Sequence, residues 1–175
     1  MIVVTGRKNV DKLSPALEKS GTAVTWVHDP AEFDGLVGDS VLIAYDTGLI
    51  VPKRVLQIVD RAYNFHAASP EFPGRDPHHW AIHRGAKTYG VTVHEMTEKV
   101  DDGPIVAVCR YGVLPTDTPS TLLSKSTDLM LGLFDGLIGH ILTDRLPPIT
   151  ETWGPRKTTR ADSIAMRGKK GFETF

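Results

Sequence analysis

Residues 1–27, MIVVTGRKNVDKLSPALEKSGTAVTWV, contain two short runs of β-branched and aromatic residues on either side of a segment with helical spacing. Residues 2–4 and 23–27 have the composition of strands, and the segment between them carries Leu13 and Leu17 on one face of a helix. A strand, a helix and a second strand in this order are almost always joined by a right-handed crossover. These residues therefore predict two parallel strands of one sheet.

The same alternation continues beyond this segment. Strands are predicted over residues 41–45 and 62–66. Helices are predicted over residues 30–37, which follow Asp29 as an N-cap, and over residues 52–59, which begin at a proline. Because strands that alternate with helices form layered domains, we predict a single Rossmann-like α/β domain with a mostly parallel twisted sheet and helices on both faces.

The pattern changes in the middle of the chain. A loop over residues 67–75 precedes a short helix over residues 76–85, and strands follow over residues 91–96 and 105–113. The loop between these last two strands is too short for a parallel crossover. We therefore predict that they form an antiparallel or an offset pair.

A long helix over residues 118–142 has a broad apolar stripe. Because this stripe exceeds what one small domain is expected to cover, we predict a homodimer. The catalytic domain is expected to span residues 1–146, and residues 147–175 are expected to form an irregular tail. This tail has six basic and three acidic residues, which favours a solvated surface, with contact to a substrate phosphate as the alternative.

The whole chain has 175 residues, with 20 basic and 21 acidic side chains and a formal charge of −1. This balance gives no indication of a nucleic acid or an anionic membrane as a partner. The single cysteine excludes an internal disulfide, and no apolar run reaches the ~18 to 20 residues that span a bilayer. We therefore expect a cytoplasmic protein.

Polar residues follow the predicted strands at the edge where parallel sheets bind ligands. Asn64 and His66 have the period-2 spacing of a strand, so their side chains leave the same face. An amide beside an imidazole can stabilise an oxyanion and move a proton, and Asp101 can join them if its loop folds back. On the residues alone, a hydrogen-bonded structural pair and an ordinary Asp-Gly turn are the simpler interpretation.

Residues 63–108, YNFHAASPEFPGRDPHHWAIHRGAKTYGVTVHEMTEKVDDGPIVAV, resemble the catalytic core of the formyltransferases that use 10-formyltetrahydrofolate. Four pieces match in order: the Asn64-x-His66 pair, the loop ending in Pro73-Gly74, the strand Gly90-Val91-Thr92-Val93-His94, and Asp101-x-Gly103-Pro104-Ile105. The resemblance implies that Asn64, His66 and Asp101 form the catalytic triad. It also implies that Asp101, and not its neighbour Asp102, supplies the carboxylate.

The resemblance further implies a site for the formyl donor, 10-formyltetrahydrofolate. Its pterin is expected between two walls, which consist of Gly48, Leu49, Ile50, Thr97, Glu98 and Val100. Ordinary core packing is the alternative role for Leu49 and Ile50, since apolar residues beside a helix start are usually buried.

An acceptor site is also expected. Its candidate residues are Arg7, Lys8, Phe72, Gly74 and His94. Solvated surface is the alternative role for Arg7 and Lys8. His94 is expected to support the site without transferring a proton.

The implied mechanism is a direct transfer in which a neutral amine attacks the formyl carbon. Asn64 and a protonated His66 are expected to stabilise the oxyanion, and Asp101 is expected to keep His66 protonated.

The acceptor follows from how this chain departs from the best-known members of the family. From the resemblance, we expect a shorter amino-terminal half than in the glycinamide ribonucleotide and methionyl-tRNA members, and no domain that grips transfer RNA. We therefore expect a small primary amine, such as an amino-sugar nucleotide, as acceptor. Two alternatives stay open: a catalytically silent module that binds folate or a nucleotide, and a hydrolase that passes the formyl group to water.

His79 and His83 have the i, i+4 spacing that zinc ligands use. A zinc site needs at least one further ligand, and no His-Glu-x-x-His sequence is present. We expect a surface and packing role for these histidines, and no metal.

Overall fold

The computed structural model describes residues 1–146 and 149–173, in which six strands form one sheet. The strands are β1 (Ile2–Thr5), β2 (Thr25–Val27), β3 (Asp39–Tyr45), β4 (Val59–His66), β5 (Thr88–Glu95) and β6 (Ile105–Gly112). The α-helices of this part of the chain are α1 (Val10–Lys19), α2 (Lys53–Leu56), α3 (Pro77–His83), α4 (Pro119–Leu142) and α5 (Arg160–Ala165). Pro147 and Pro148, where the tail was predicted to begin, lie outside the described residues.

The strand order is β2-β1-β3-β4-β5-β6. Strands β1 to β4 are parallel to one another, and β5 is antiparallel to both β4 and β6. The prediction of a mostly parallel sheet with an antiparallel pair at its end is therefore confirmed.

Helices cover both faces of the sheet because successive side chains of a strand point to opposite sides. On one face, Ile43 of β3 packs in the same core layer as Leu13 of α1 and Phe134 of α4. On the other face, Leu42 packs in a second layer with Val55 of α2. The Rossmann-like α/β class is confirmed.

The helix predicted over residues 30–37 is a six-residue 3-10 helix, Pro30–Gly35. Its predicted N-cap is confirmed, because the Asp29 carboxylate accepts a hydrogen bond from the Ala31 N–H at 2.9 Å. The chain is already extended at Leu36, so this connection is tighter and shorter than an α-helix.

The helix predicted over residues 52–59 ends at Leu56. Val59 already belongs to β4, where it pairs with Asp39 of β3. Pairing with the neighbouring strand therefore outweighs the local helical signal at the end of this segment.

The apolar stripe of α4, on which the homodimer prediction rests, is only partly covered by the domain. Five of its ten residues are buried, and they are Leu122, Met130, Phe134, Ile138 and Ile141. Leu123 is exposed, and the other four, Leu129, Leu133, Leu137 and Leu142, are half-buried. The homodimer stays a prediction.

The tail is not irregular throughout, which corrects the prediction. It contains α5, and Thr158 forms a bridge with Gly74. Phe172 is fully buried in a third apolar cluster, where it packs against Trp80 of α3. A few isolated anchor residues hold this segment, and a helical or alternating apolar pattern is absent from its sequence.

In the described residues, no helix has both the length and the apolar character needed to cross a membrane.

Candidate active site

The parallel register brings the carboxyl ends of β1, β3 and β4 to one edge of the sheet. Thr5 lies beside Tyr45, and Tyr45 lies beside Phe65. Asn64 and His66 flank Phe65 and project from the opposite face of β4, as their period-2 spacing predicts. This is the edge at which α/β sheets bind ligands.

Asp101 reaches this edge from the loop between β5 and β6. Its backbone has a φ of +46°, a left-handed conformation that aspartate tolerates better than most residues. The side chain is only 3% exposed, and its Oδ2 accepts a hydrogen bond from the Gly74 N–H at 2.9 Å. The loop needs glycine at 103, because a Cβ there would overlap the Glu95 carbonyl. The loop therefore folds back over β4, as the triad requires.

His66 faces the Asp101 carboxylate with one ring nitrogen that has no partner. Its Nε2 lies 3.8 Å from Asp101 Oδ2. This nitrogen is enclosed, and none of the described residues forms a hydrogen bond with it. Asp101 therefore faces a ring nitrogen of His66 that is shielded from solvent.

His94 fixes the orientation of the Asn64 amide. Its Nδ1 lies 2.8 Å from the Glu95 carbonyl, which can only accept, so this nitrogen carries the hydrogen. In the neutral ring Nε2 is then the acceptor, and it lies 3.1 Å from Asn64 Nδ2. One N–H of the amide is thus held by His94, and the other is free to donate. The same Nε2 lies 3.5 Å from Asp101 Oδ1.

Burial and charge act in opposite directions on the pKa of the triad members. Burial lowers the pKa of His66, and the nearby Asp101 carboxylate offsets this only in part. Burial alone would raise the pKa of Asp101, but the nearby His66 ring and the Gly74 N–H hold it well below its usual range. Asp101 is therefore ionised and His66 neutral near pH 7. The expectation that Asp101 keeps His66 protonated is corrected: desolvation outweighs the carboxylate.

A cavity of about 340 Å³ opens beside the triad and takes in every residue proposed for the donor site. Gly48, Leu49 and Ile50 lie on one side, and Thr97, Glu98 and Val100 complete the predicted set. Ile50 is 68% exposed and Val100 is 49% exposed. Core packing is therefore excluded for Ile50, whose apolar side chain is available to a ligand.

A second cavity, of about 330 Å³, adjoins the first at Asn64 and His66. The residues that line both cavities are Thr47, Gly48, Asn64, His66, Gly74 and Arg75. The second cavity also has three polar lining residues, Asp46, Asp76 and His78. Burial lowers the pKa of His78 to about 4, so this ring is neutral near pH 7. Two spaces thus meet at the amide and the imidazole.

The structure does not bring all the predicted acceptor residues to these cavities. Phe72 is buried in the third apolar cluster against Tyr89, so a side-chain contact with substrate is corrected to a packing role. Arg7 is exposed and pairs with Glu32, and neither cavity is lined by it. Lys8 lies nearer, because it pairs at 3.3 Å with the wall residue Asp46. Gly74 and His94 do line the donor cavity.

Three residues of the tail lie at the site but were not predicted from the sequence as site residues. Lys157 and Thr158 line the donor cavity. Trp153 packs edge-to-face on His94, with ring centroids 4.9 Å apart, and donates its indole N–H to the Gly103 carbonyl at 2.8 Å. The basic composition of the tail is the one sequence signal that could have pointed to Lys157.

His79 and His83 of α3 have packing roles. His83 Nδ1 lies 2.8 Å from the Lys170 carbonyl, and His79 packs against Phe172. Within the described ranges, no group of three or more His, Cys, Asp or Glu side chains is arranged to hold a metal ion.

A comparison with known proteins finds a family that matches this chain. Residues 32–131, more than half of the chain, match the family model described as Formyl transferase. The chain belongs to this family. Methionyl-tRNA formyltransferase from Streptococcus pyogenes serotype M2 (strain MGAS10270) is 30% identical over 155 residues, which are 83% of this chain and 50% of that protein. The formyl transferase chain described here thus spans about half the length of the curated relatives it matches.

Two solved structures have the same fold as this formyl transferase chain. The formyltransferase PseJ from Anoxybacillus kamchatkensis, in complex with UDP-4,6-dideoxy-4-formamido-L-AltNAc and tetrahydrofolate, is 23% identical with a TM-score of 0.77. The match covers 99% of this chain and 94% of that chain. A sugar N-formyltransferase from Shewanella sp FDAARGOS_354 is 18% identical with a TM-score of 0.77, over 95% of this chain and 78% of that chain.

Proposed function

We propose that this chain is a cytoplasmic enzyme that transfers a formyl group from 10-formyltetrahydrofolate to the primary amine of a small substrate. The observation that carries the proposal is the meeting of two cavities at Asn64 and His66. A direct transfer requires the donor and the acceptor to approach one carbon from two sides while held in a fixed geometry. Membership of the formyl transferase family supports a formyl group as the unit that moves.

The reaction assigns one role to each triad member. The amine nitrogen attacks the formyl carbon, and the free N–H of Asn64 donates to the developing oxyanion. The neutral His66 ring accepts the proton that the amine loses and delivers it to the folate nitrogen as the carbon–nitrogen bond of the donor breaks. Asp101 stabilises the transient imidazolium from 3.8 Å. The products are a formamide and tetrahydrofolate.

The donor cavity suits a flat ring with polar edges. Ile50 and Val100 offer apolar surface to such a ring. Exposed apolar side chains grouped around a cavity are typical of ligand sites, because burying them against a ligand is favourable. PseJ was solved with tetrahydrofolate, which supports a folate as the occupant.

The acceptor cavity suits a polar substrate, because its lining combines the Arg75 cation with the Asp46 and Asp76 carboxylates. Arg75 lines it, and Lys8 lies at its edge beside Asp46. Such cations can meet a phosphate, and the carboxylates of Asp46 and Asp76 can accept hydrogen bonds from sugar hydroxyls. PseJ was solved with a UDP-linked formamido sugar. We therefore propose an amino-sugar nucleotide as the acceptor class.

The proposal is tested by mixing the protein with 10-formyltetrahydrofolate and a panel of UDP- and dTDP-linked amino sugars, and following tetrahydrofolate release. We expect release that depends on one or a few of these amines, and a formamide product by mass spectrometry. A protein that binds the donor but never turns it over is a silent folate-binding module. Formate release without any amine indicates a hydrolase, and no donor binding by calorimetry at millimolar concentration contradicts the whole proposal.

A further inference from the structure

Residues 151–158 run across the site as an extended segment, here called the strap. Its first residue is tied to the sheet and to the loop before α3, because Arg110 of β6 forms ion pairs with both Glu151 and Glu71 at 2.7 Å. Gly154 donates its N–H to the Pro70 carbonyl at 2.9 Å. The first part of the strap is therefore fixed to β6 and to the loop before α3.

The strap then binds the loop around Gly74, whose N–H donates to the Asp101 carboxylate. The Thr158 N–H donates to the Pro73 carbonyl at 3.0 Å, and the Arg75 N–H donates to the Thr158 carbonyl at 2.9 Å. Gly74 lies between these two bonds at a φ of +97°, and a Cβ there would overlap the Thr158 backbone. The strap therefore fixes the position of the Gly74 N–H, which donates to Asp101.

The strap also binds the loop that carries Asp101 itself. Trp153 donates its indole N–H to the Gly103 carbonyl at 2.8 Å. Lys157 donates to the Val100 carbonyl and lies 3.7 Å from the Asp102 carboxylate. Bonds on both sides of Asp101 therefore come from one segment.

Trp153 in addition packs on the imidazole that orients Asn64. Its ring meets His94 edge-to-face at an interplanar angle of 82°, with centroids 4.9 Å apart. His66 lies farther away, at 6.3 Å. Trp153 lines neither cavity, so it acts on the reaction through His94 and the Gly103 carbonyl.

We propose that Trp153 is a positioning residue for formyl transfer, and that the strap holds Asp101 and the His94–Asn64 pair in reacting geometry. This inference rests on the proposed function for its kinetic readout. A displacement of about 1 Å in a catalytic group can cost roughly 10²-fold in rate. Binding of the folate is expected to be largely independent of Trp153, because Trp153 is absent from the donor cavity.

The kinetic test compares Trp153→Leu, Trp153→Phe and a matched control, Trp26→Leu. Trp26 is half-buried at the opposite edge of the sheet, on β2. We expect Trp153→Leu to lower kcat by about 10- to 100-fold with the donor KM within about threefold. Trp153→Phe keeps a ring against His94 and should retain more activity than Trp153→Leu. A wild-type kcat in Trp153→Leu, or an equal loss in Trp26→Leu, overturns the inference.

A second readout requires no turnover. The pH titration of the His66 ring, followed by NMR, reports how closely Asp101 is held, because the carboxylate raises the pKa of His66 against the effect of burial. We expect the midpoint in Trp153→Leu to move to lower pH and the midpoint in Trp26→Leu to match the wild type. If Trp153→Leu does not fold, the same shift is expected, though smaller, in Trp153→Phe. An unchanged His66 midpoint in the folded Trp153 variant contradicts the positioning role of the strap. If the midpoint shifts as expected but the protein transfers no formyl group, only the proposed function is contradicted.

Discussion

The buried centre and the exposed rim of the site are both built from charged groups, but their surroundings differ. At the centre, the Asp101 carboxylate is enclosed by His66, His94 and the Gly74 N–H. At the rim, the neighbouring Asp102 is 47% exposed. Charges interact strongly where water is excluded and weakly where solvent screens them. Similar chemical groups one residue apart should therefore differ in their effect on the reaction by orders of magnitude.

The largest effect is expected for Asp101→Asn. The amide keeps the shape of the side chain and an acceptor for the Gly74 N–H, but it cannot stabilise a positive His66. We expect kcat/KM to fall by about 10² to 10⁴-fold, the usual scale for the loss of an acid–base partner. Steady-state assays of tetrahydrofolate release measure this, and an unchanged thermal unfolding curve serves as the control. An activity within a few-fold of the wild type would exclude Asp101 from the centre.

The next largest effect is expected for Asn64→Ala. This change removes the free N–H assigned to the oxyanion and leaves Nε2 of His94 without its donor. We expect kcat to fall by about 10² to 10³-fold, as for the loss of an oxyanion donor. Asn64→Asp is a matched control, because it keeps the shape without the N–H donors and should be equally impaired. Full activity in Asn64→Asp would show that the amide N–H is not required.

The strand and loop residues of the centre are largely predictable from the sequence, and the strap is not. Asn64 and His66 stand at a strand end in a period-2 pair, and the resemblance around Asp101 fixes its register. Trp153 carries no such signal, since an isolated aromatic residue between prolines and glycines has no periodicity. Its role depends on contacts 50 residues away in the chain, with Gly103.

The protonation of His66 also required the structure. From the sequence, a carboxylate beside an imidazole predicts a raised pKa of the imidazole. The burial of the ring, which lowers this pKa, cannot be read from the sequence. In the folded chain the desolvation of His66 exceeds the effect of Asp101. The same limit applies to residues 30–37, where a local cap signal was correct but the helix type depends on the space left by the neighbouring strands.

A smaller and more diagnostic effect is expected in the pH dependence of kcat/KM. Burial lowers the pKa of His66 below the ordinary 6.5. The neutral ring is the form proposed to accept the amine proton. With respect to His66, kcat/KM should therefore be flat near pH 7 and fall only below the lowered pKa. Asp101→Asn removes the group that raises this pKa, so the acidic limb should shift to lower pH. An acidic limb above pH 6.5 that is unaffected by Asp101→Asn would contradict the neutral base.

The smallest effect is expected for Asp102→Asn. This carboxylate faces Lys99 and Lys157 at 3.9 and 3.7 Å on an exposed rim. Such pairs contribute about 0 to 1 kcal/mol, so we expect less than a tenfold loss in kcat/KM. The comparison with Asp101→Asn in one assay checks the register of the loop. Equal losses at the two positions, or a larger loss at Asp102, would show that the carboxylate is misassigned.

The central claim is that the formyl carbon passes directly between the two cavities at His66. It is tested most directly by a single turnover with donor labelled with ¹³C at the formyl carbon, followed by NMR in the wild type and in His66→Ala. The account predicts that the label moves from the folate to the amine of an amino-sugar nucleotide in the wild type. In His66→Ala the donor should bind with similar affinity while its label stays on the folate. Label that appears as formate, or transfer that continues at the wild-type rate in His66→Ala, would contradict the account.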